Sequence, residues 1–338
     1  MGEMKGKDRI IGAINKEKMD RVPIGPPFQG YWAMGLAGVT VSKSIEDPKL
    51  AAKAQVDIVD RCGFDGLETM WDWLSPVEAL GCEVKIPEFG TIPTWKGVIE
   101  DPSALDKLEI PNPKKDYRHE ASVMTTKHLV KTFGKEKFLY MTTVCPFTLA
   151  GELRGVETMM LDTLVDPDFV MKLVKFSTEV MKVYTKDIVR EDVDGAIICD
   201  PTASGSLISK PDYLRFVQPF QKDMGKIVKS SGKYLLMHMC GDTSDRLDSV
   251  QDVGAHVFSL DYQVDLAIAS KFIAGKQTIL GNVKPAHTLF SGTPADVRRE
   301  SLECIAKFGR KGFILGAGCD IAPGTPLPNV EVWKTLQD

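Results

Sequence analysis

Two kinds of segment alternate along this chain. Short continuous apolar runs, too short for helices, cover residues 22–26, 66–70, 138–144, 196–200, 234–240, 257–261, 277–282 and 313–319, and all but 66–70 close on or beside Gly, Pro, Asp, Asn, His or Cys. Between them lie stretches such as residues 160–187, where apolar side chains recur every three or four positions, the spacing of one buried helix face. Continuous apolar strands alternating with amphipathic helices predict a parallel sheet covered on both faces. Eight such units predict a closed (β/α)8 barrel, a TIM barrel within the α/β class. A doubly wound open sheet is the alternative, but no GxGxxG opens any helix.

The rhythm breaks once. From about residue 74 to 117 the chain carries Gly81-Cys82-Glu83-Val84-Lys85-Ile86-Pro87, then Gly90-Thr91-Ile92-Pro93-Thr94-Trp95-Lys96-Gly97, then a Pro- and Lys-rich run. This reads as a hairpin and loop inserted after the second strand, and long insertions in barrels usually lie over the catalytic face. No repeat, low-complexity segment or linker divides the chain, so residues 1–338 are expected to form a single barrel domain. Residues 323–328 are Pro-rich and read as the last loop before a terminal helix.

Composition narrows the function. Of 338 residues, 43% are hydrophobic and 26% charged, which suits a globular protein with one large core. A net charge of −4 gives no basic footprint for nucleic acid or an anionic membrane surface. No apolar run reaches the roughly 18 residues of a membrane span. The start, Met-Gly-Glu-Met-Lys-Gly, has neither the apolar core of a secretory signal nor the Ser or Thr that myristoylation requires. Seven cysteines without framework spacing point to free thiols in a reducing, cytoplasmic setting.

Side chains at the C-terminal ends of barrel strands face one mouth. Here those ends carry Asp200, His238, Cys240, Asp261, Asn282 and Cys319, a set too polar for packing alone. Residues i and i+2 of an extended segment point the same way, so His238 and Cys240 can face one point. Cys319, from the strand across the mouth, can close on it. One imidazole and two thiolates suit zinc, and three protein ligands leave a fourth position open, as catalytic zinc sites do. The pattern H-x-C…C is weakly specific by itself; a buried histidine with two packed cysteines is the competing reading. Asp261 is the candidate for the fourth position, with a salt bridge or helix N-cap as its alternative. Cys62, Cys82, Cys145, Cys199 and Cys304 read as packing residues, and His119 and His128 as surface residues. His256 opens a strand, at the end away from the chemistry, and His287 is a candidate for the mouth.

Several strings then resemble a known family. His238-Met239-Cys240-Gly241-Asp242, Gly281-Asn282-Val283 and the run from Gly316-Ala317-Gly318-Cys319-Asp320 to Asn329 are similar to the cobamide:coenzyme M methyltransferases of methylotrophic methanogenesis, within the uroporphyrinogen decarboxylase superfamily. Val22-Pro23, residues 78–84, residues 146–151 and Cys199-Asp200-Pro201-Thr202-Ala203-Ser204 extend the resemblance over nearly the whole chain. It implies a (β/α)8 barrel, zinc on His238, Cys240 and Cys319, and a corrinoid (cobalamin) carried by a partner protein. A thiol such as coenzyme M entering the open zinc position would lose its proton and attack the methyl group of the methyl-Co(III) corrinoid.

The sequence departs from the decarboxylases in one respect. Their Arg-containing segment for substrate carboxylates has no counterpart in residues 25–34, which hold no Arg, so uroporphyrinogen decarboxylation is set aside. Asp72 does stand where the decarboxylases carry their catalytic Asp, though the coenzyme M enzymes do not call for a carboxylate there. Asp72, with Asp200 and Asn282, is therefore a candidate for catalysis or substrate binding. Phe28, Tyr31, Trp32, Trp71 and Trp73 form a candidate aromatic pocket. Together with Asp72 they leave open the reverse direction, O-demethylation or demethylation of a methylated small molecule with the methyl passing to Co(I). A corrinoid carrier is a third reading, but no D-x-H-x-x-G segment occurs.

Overall fold

The protein is described from a computed structural model covering residues 3–273 and 275–336. Nine strands occur among these residues. They are β1 (Gly66–Glu68), β2 (Glu83–Val84), β3 (Thr94–Lys96), β4 (Phe138–Val144), β5 (Gly195–Cys199), β6 (Tyr234–Met239), β7 (Val257–Leu260), β8 (Thr278–Val283) and β9 (Phe313–Ala317). Seven of them form one sheet in the order β1-β4-β5-β6-β7-β8-β9, every neighbouring pair parallel. The sheet curls, and residues 22–26 fill the gap between its two edges. Gly25 N donates to Leu315 O and Leu315 N to Pro23 O on one side, and Asp65 N donates to Ile24 O on the other. The first predicted strand is therefore present only as a single bridge at Ile24. Pro23, Pro26 and Pro27 lack the N–H that a longer ladder needs.

Alternate residues sort the barrel into two packed layers. Leu139, Met141, Ile198, Leu235, Met237 and Leu315 face the surrounding helices. Phe138, Tyr140, Ile197, Leu236, Val257 and Ile314 face inward, where Ile10, Ala13 and Ile14 of the helix Gly6–Asn15 plug the N-terminal end. That end is further tied by a buried ionic knot, with Arg9 and Arg21 on Asp65 and Asp65 also accepting from Ile24 N. The predicted insertion contains an antiparallel hairpin, β2 on β3, followed by two short 3-10 turns.

One predicted helix is two. Residues 160–187 divide at Asp166-Pro167 into Val156–Val165 and Pro167–Ile188. Proline disfavours helix in the residue before it and cannot donate, and the Asp166 side chain accepts from Phe169 N at 3.1 Å to start the second helix. Among the described residues no helix is long and apolar enough to cross a membrane.

Candidate metal centre

The inward-facing set changes character toward the C-terminal end. Below it is Phe, Tyr, Leu and Ile; above it is Glu68, Thr142, Cys199, His238 and Ser259, all buried. Register puts Cys199 beside His238 and His238 beside Ser259 across adjacent strands. The His238 Nδ1 lies 2.9 Å from the Ser259 hydroxyl and 3.2 Å from its carbonyl, and Phe28 meets the ring edge-on at 5.1 Å. With Nδ1 so occupied, Nε2 is turned into the mouth, the arrangement in which a histidine serves as a metal ligand.

Cys240 follows the end of β6, and Gly241, with φ of 89°, turns the chain away directly after it. Cys319 arrives two residues beyond β9. The His238 Nε2 stands 3.2 Å from the Cys240 sulfur, the two sulfurs are 3.5 Å apart, and the three ligand atoms lie within 4.8 Å of one another. Zinc–sulfur bonds of about 2.3 Å and zinc–nitrogen bonds of about 2.0 Å set donor separations of about 3.5–3.8 Å around a tetrahedral ion. The donor set and its spacing thus fit a metal such as zinc. The hydrogen bond between the two sulfurs, helped by His238, holds the Cys319 thiol well below its usual range and pushes Cys240 up.

Asp261 is not part of this cluster. Its carboxylate accepts from the backbone N–H of Gln263, at 2.9 Å, and of Gly241, so it ties the turn after β7 to the turn after β6.

Beside the three ligands is a cavity of about 120 Å³. Phe28, Tyr31, Trp71 and Trp73 form its aromatic wall, and Thr91 of the insertion reaches its rim. Cys199, expected only to pack, also lines it; burial, then the negative charge of Cys319, keeps its thiol protonated. Glu68 and Asp320 supply the lining's acidic groups. Glu68 is not among the expected site residues. Its carboxylate accepts from the Thr142 hydroxyl and from the backbone N–H of Gln29 and Gly30, and burial pushes its pKa up to about 8.

The other candidates lie elsewhere. Asp72 is fully buried against Arg118 in a two-point ion pair of 2.7 and 3.0 Å and does not line the cavity. Burial raises its pKa, and Arg118 pulls it back. Trp32 is buried with its indole N–H on Thr325 O at 2.9 Å. Asp200 accepts from Thr148 and Gln221 within the layer behind β5, its pKa pushed up to about 6 by burial. Asn282 donates to Asp261 O and Val264 O, pinning the turn after β7. His287 is exposed on the Pro285–Phe290 turn. His119, expected at the surface, is fully buried with Nε2 3.0 Å from Asp187, whereas His128 is half-buried on the same helix. His256 accepts from Leu235 N at the closed end of the barrel.

Comparison with known proteins adds to this geometry. Residues 5–336 match the uroporphyrinogen decarboxylase (URO-D) family. The chain belongs to that family. It is similar to a methylcobamide:CoM methyltransferase, MtbA, of Methanosarcina mazei, at 27% identity over 98% of this chain and 97% of the relative. A uroporphyrinogen decarboxylase of Myxococcus xanthus is 25% identical over 94% of this chain and 92% of its own length. In structure the chain matches a methyltransferase from Methanosarcina mazei with a TM-score of 0.88 at 22% identity, over 99% of this chain and 98% of that one. This URO-D chain therefore has the barrel that its apolar runs predict.

Glu68 makes stability pH-dependent in a definite direction. Its folded pKa of about 8 lies above the model-peptide value of 4.5, so the native state holds a proton that the unfolded chain releases. Its stabilising contribution is complete below about pH 4.5 and is lost as pH rises through 8. In zinc-free protein, denaturant titrations at pH 5 and pH 9 should show a fall on the order of 3 kcal/mol that Glu68→Gln removes. A slope unchanged by that substitution would assign the pH dependence elsewhere.

Proposed function

We propose that this chain moves a methyl group between a methyl-Co(III) corrinoid, carried by a partner protein, and a thiol activated at His238, Cys240 and Cys319. The observation that carries this reading is the convergence of one imidazole and two thiols at the edge of a cavity that opens on the barrel mouth. When bound, zinc supplies a Lewis acid with one open position, at which a substrate thiol gives up its proton.

The chain's own residues do the rest. Ser259 fixes the His238 ring and its tautomer; Gly241 lets the backbone leave the site after Cys240. Phe28, Tyr31, Trp71 and Trp73 keep water from the reacting sulfur, and Cys199 stays a neutral thiol beside the ligands. The names of the relatives, which pair a methylcobamide with coenzyme M, support the direction. Decarboxylation of the four acetate side chains of uroporphyrinogen is disfavoured by a cavity lined with Glu68 and Asp320 and by the lack of Arg in residues 25–34.

The reverse direction, demethylation of a methylated small molecule, is favoured by the aromatic wall alone. Asp72 cannot act as its acid while Arg118 holds both carboxylate oxygens; Glu68 is the acid that reaches the cavity. Zinc-loaded protein given methylcobalamin and a thiol should form a thioether and Co(I), release about one proton per site on thiol binding, and gain one sulfur neighbour in the zinc X-ray absorption spectrum. An unchanged coordination shell with thiol bound would overturn the thiol-acceptor reading and leave demethylation.

A further inference from the structure

Among the described residues, the cavity beside the metal ligands is lined by two acids and four aromatic rings, with small and sulfur side chains between them and no Lys or Arg. Glu68 is buried on the inner face of β1, and Asp320 stands beside Cys319 at the partly exposed mouth. Arg118, which packs near Tyr31, already serves Asp72 and Glu78 and does not reach the lining. A zinc ion on two thiolates and a neutral imidazole is formally uncharged, so the metal adds no positive field either.

An anionic substrate end would have to leave water with no cation in the lining to meet it, a costly way to bury a charge. A cation meets the opposite case. The Tyr31 and Trp71 rings stand edge to face at 5.7 Å, and Phe28 and Trp73 lie tilted at 6.5 Å, so the lining sets four aromatic rings beside two acids. Aromatic faces combined with carboxylates are the side chains that hold small ammonium groups.

We infer that the small substrate of this site is a short thiol bearing an ammonium end directed at Glu68, and not a sulfonate or carboxylate thiol. The inference rests on the thiol-acceptor reading above and changes its acceptor, because coenzyme M is a sulfonate. Glu68 acts here as a specificity residue. The Gln29 and Gly30 N–H groups and the Thr142 hydroxyl fix its carboxyl in place; burial outweighs these donors and keeps the proton on the free site up to about pH 8, and an ammonium group beside the carboxyl would favour the ionised form.

The decisive measurement separates the charge of the substrate from the acidity of its thiol. 2-(Methylthio)ethylamine and 2-(methylthio)ethanesulfonate are the methylated products of an ammonium and a sulfonate thiol, identical at the thioether end. Calorimetric titration into zinc-loaded protein near pH 8 should give a dissociation constant at least about tenfold lower for the amine. Glu68→Gln, checked for zinc content and fold, should cut that ratio severalfold. Equal or tighter binding of the sulfonate by the unsubstituted protein would overturn the inference; so would a ratio that Glu68→Gln leaves unaltered. Methyl transfer from methylcobalamin to cysteamine, 2-mercaptoethanol and 2-mercaptoethanesulfonate is scored separately. Transfer with sulfonate preferred sinks this inference and leaves the thiol-acceptor reading standing. Transfer to none of the three sinks the thiol-acceptor reading, and the acceptor named here with it.

Discussion

Cys319→Ala protein should purify folded and nearly free of zinc, where the unsubstituted protein holds about one ion per chain. The residue is partly exposed at the mouth, two positions beyond β9, and its loss opens no cavity in the packed layers. What it does remove is one of three donors that lie within 4.8 Å of one another. Two donors cannot hold the ion against solvent, and the loss in affinity should exceed the roughly 10–100-fold that an outer partner of a metal ligand contributes. Methyl transfer should fall to the level of the reagents alone. Metal analysis, circular dichroism and the methylcobalamin assay on one preparation check all three statements. Stoichiometric zinc in both Cys319→Ala and Cys240→Ala would remove the metal assignment.

Asp72 should behave in the opposite way, through stability and not through rate. Arg118 is fully buried, and Asp72 meets it with both oxygens. Taking one partner from a buried pair leaves the other charge without compensation, which costs about 3–5 kcal/mol. Arg118→Met should therefore lower the denaturant midpoint steeply. Asp72→Asn, which keeps the shape but not the charge, leaves Arg118 with Glu78 as its remaining carboxylate and should destabilise by less, about 1–3 kcal/mol. Per folded molecule, thiol methylation should change little in Asp72→Asn, because its carboxylate does not line the cavity. A hundredfold loss of rate with unaltered stability would return Asp72 to the chemistry.

These two residues also mark where reading the sequence succeeds and where it stops. Cys319 was legible because a barrel makes strand ends converge whatever their separation along the chain, and His238-x-Cys240 supplies a local anchor. Asp72 also stands just past a strand end, but its partner is 46 positions away on a helix, and nothing local in the sequence announces Arg118. His119 has the same difficulty, since Asp187 lies 68 positions on and converts an apparently polar helix face into a buried contact. Glu68 did leave a signal. It sits inside the apolar run 66–70, two residues from Gly66, so alternation places it on the same inner face. A carboxylate on the inner face of a buried parallel strand, inside an apolar run, has few reasons to be there except a site. Attention to the ends of the runs alone passes over it. The first strand shrinks to one bridge for a reason that is local, the three prolines around Ile24 and Gly25.

The helix Gly6–Asn15 closes the lower end of the barrel with Ile10, Ala13 and Ile14. Among the described residues that end is packed shut, which leaves the mouth as the way in. A corrinoid protein seated on the mouth would cover the small substrate already inside, and nothing of that size could enter or leave beneath it. Under the proposed thiol methylation, turnover would have a compulsory order: the thiol binds first, the methylated corrinoid docks second, and the thioether is released only after the spent partner has gone. High concentrations of the partner should slow exchange of the small substrate without competing for its site.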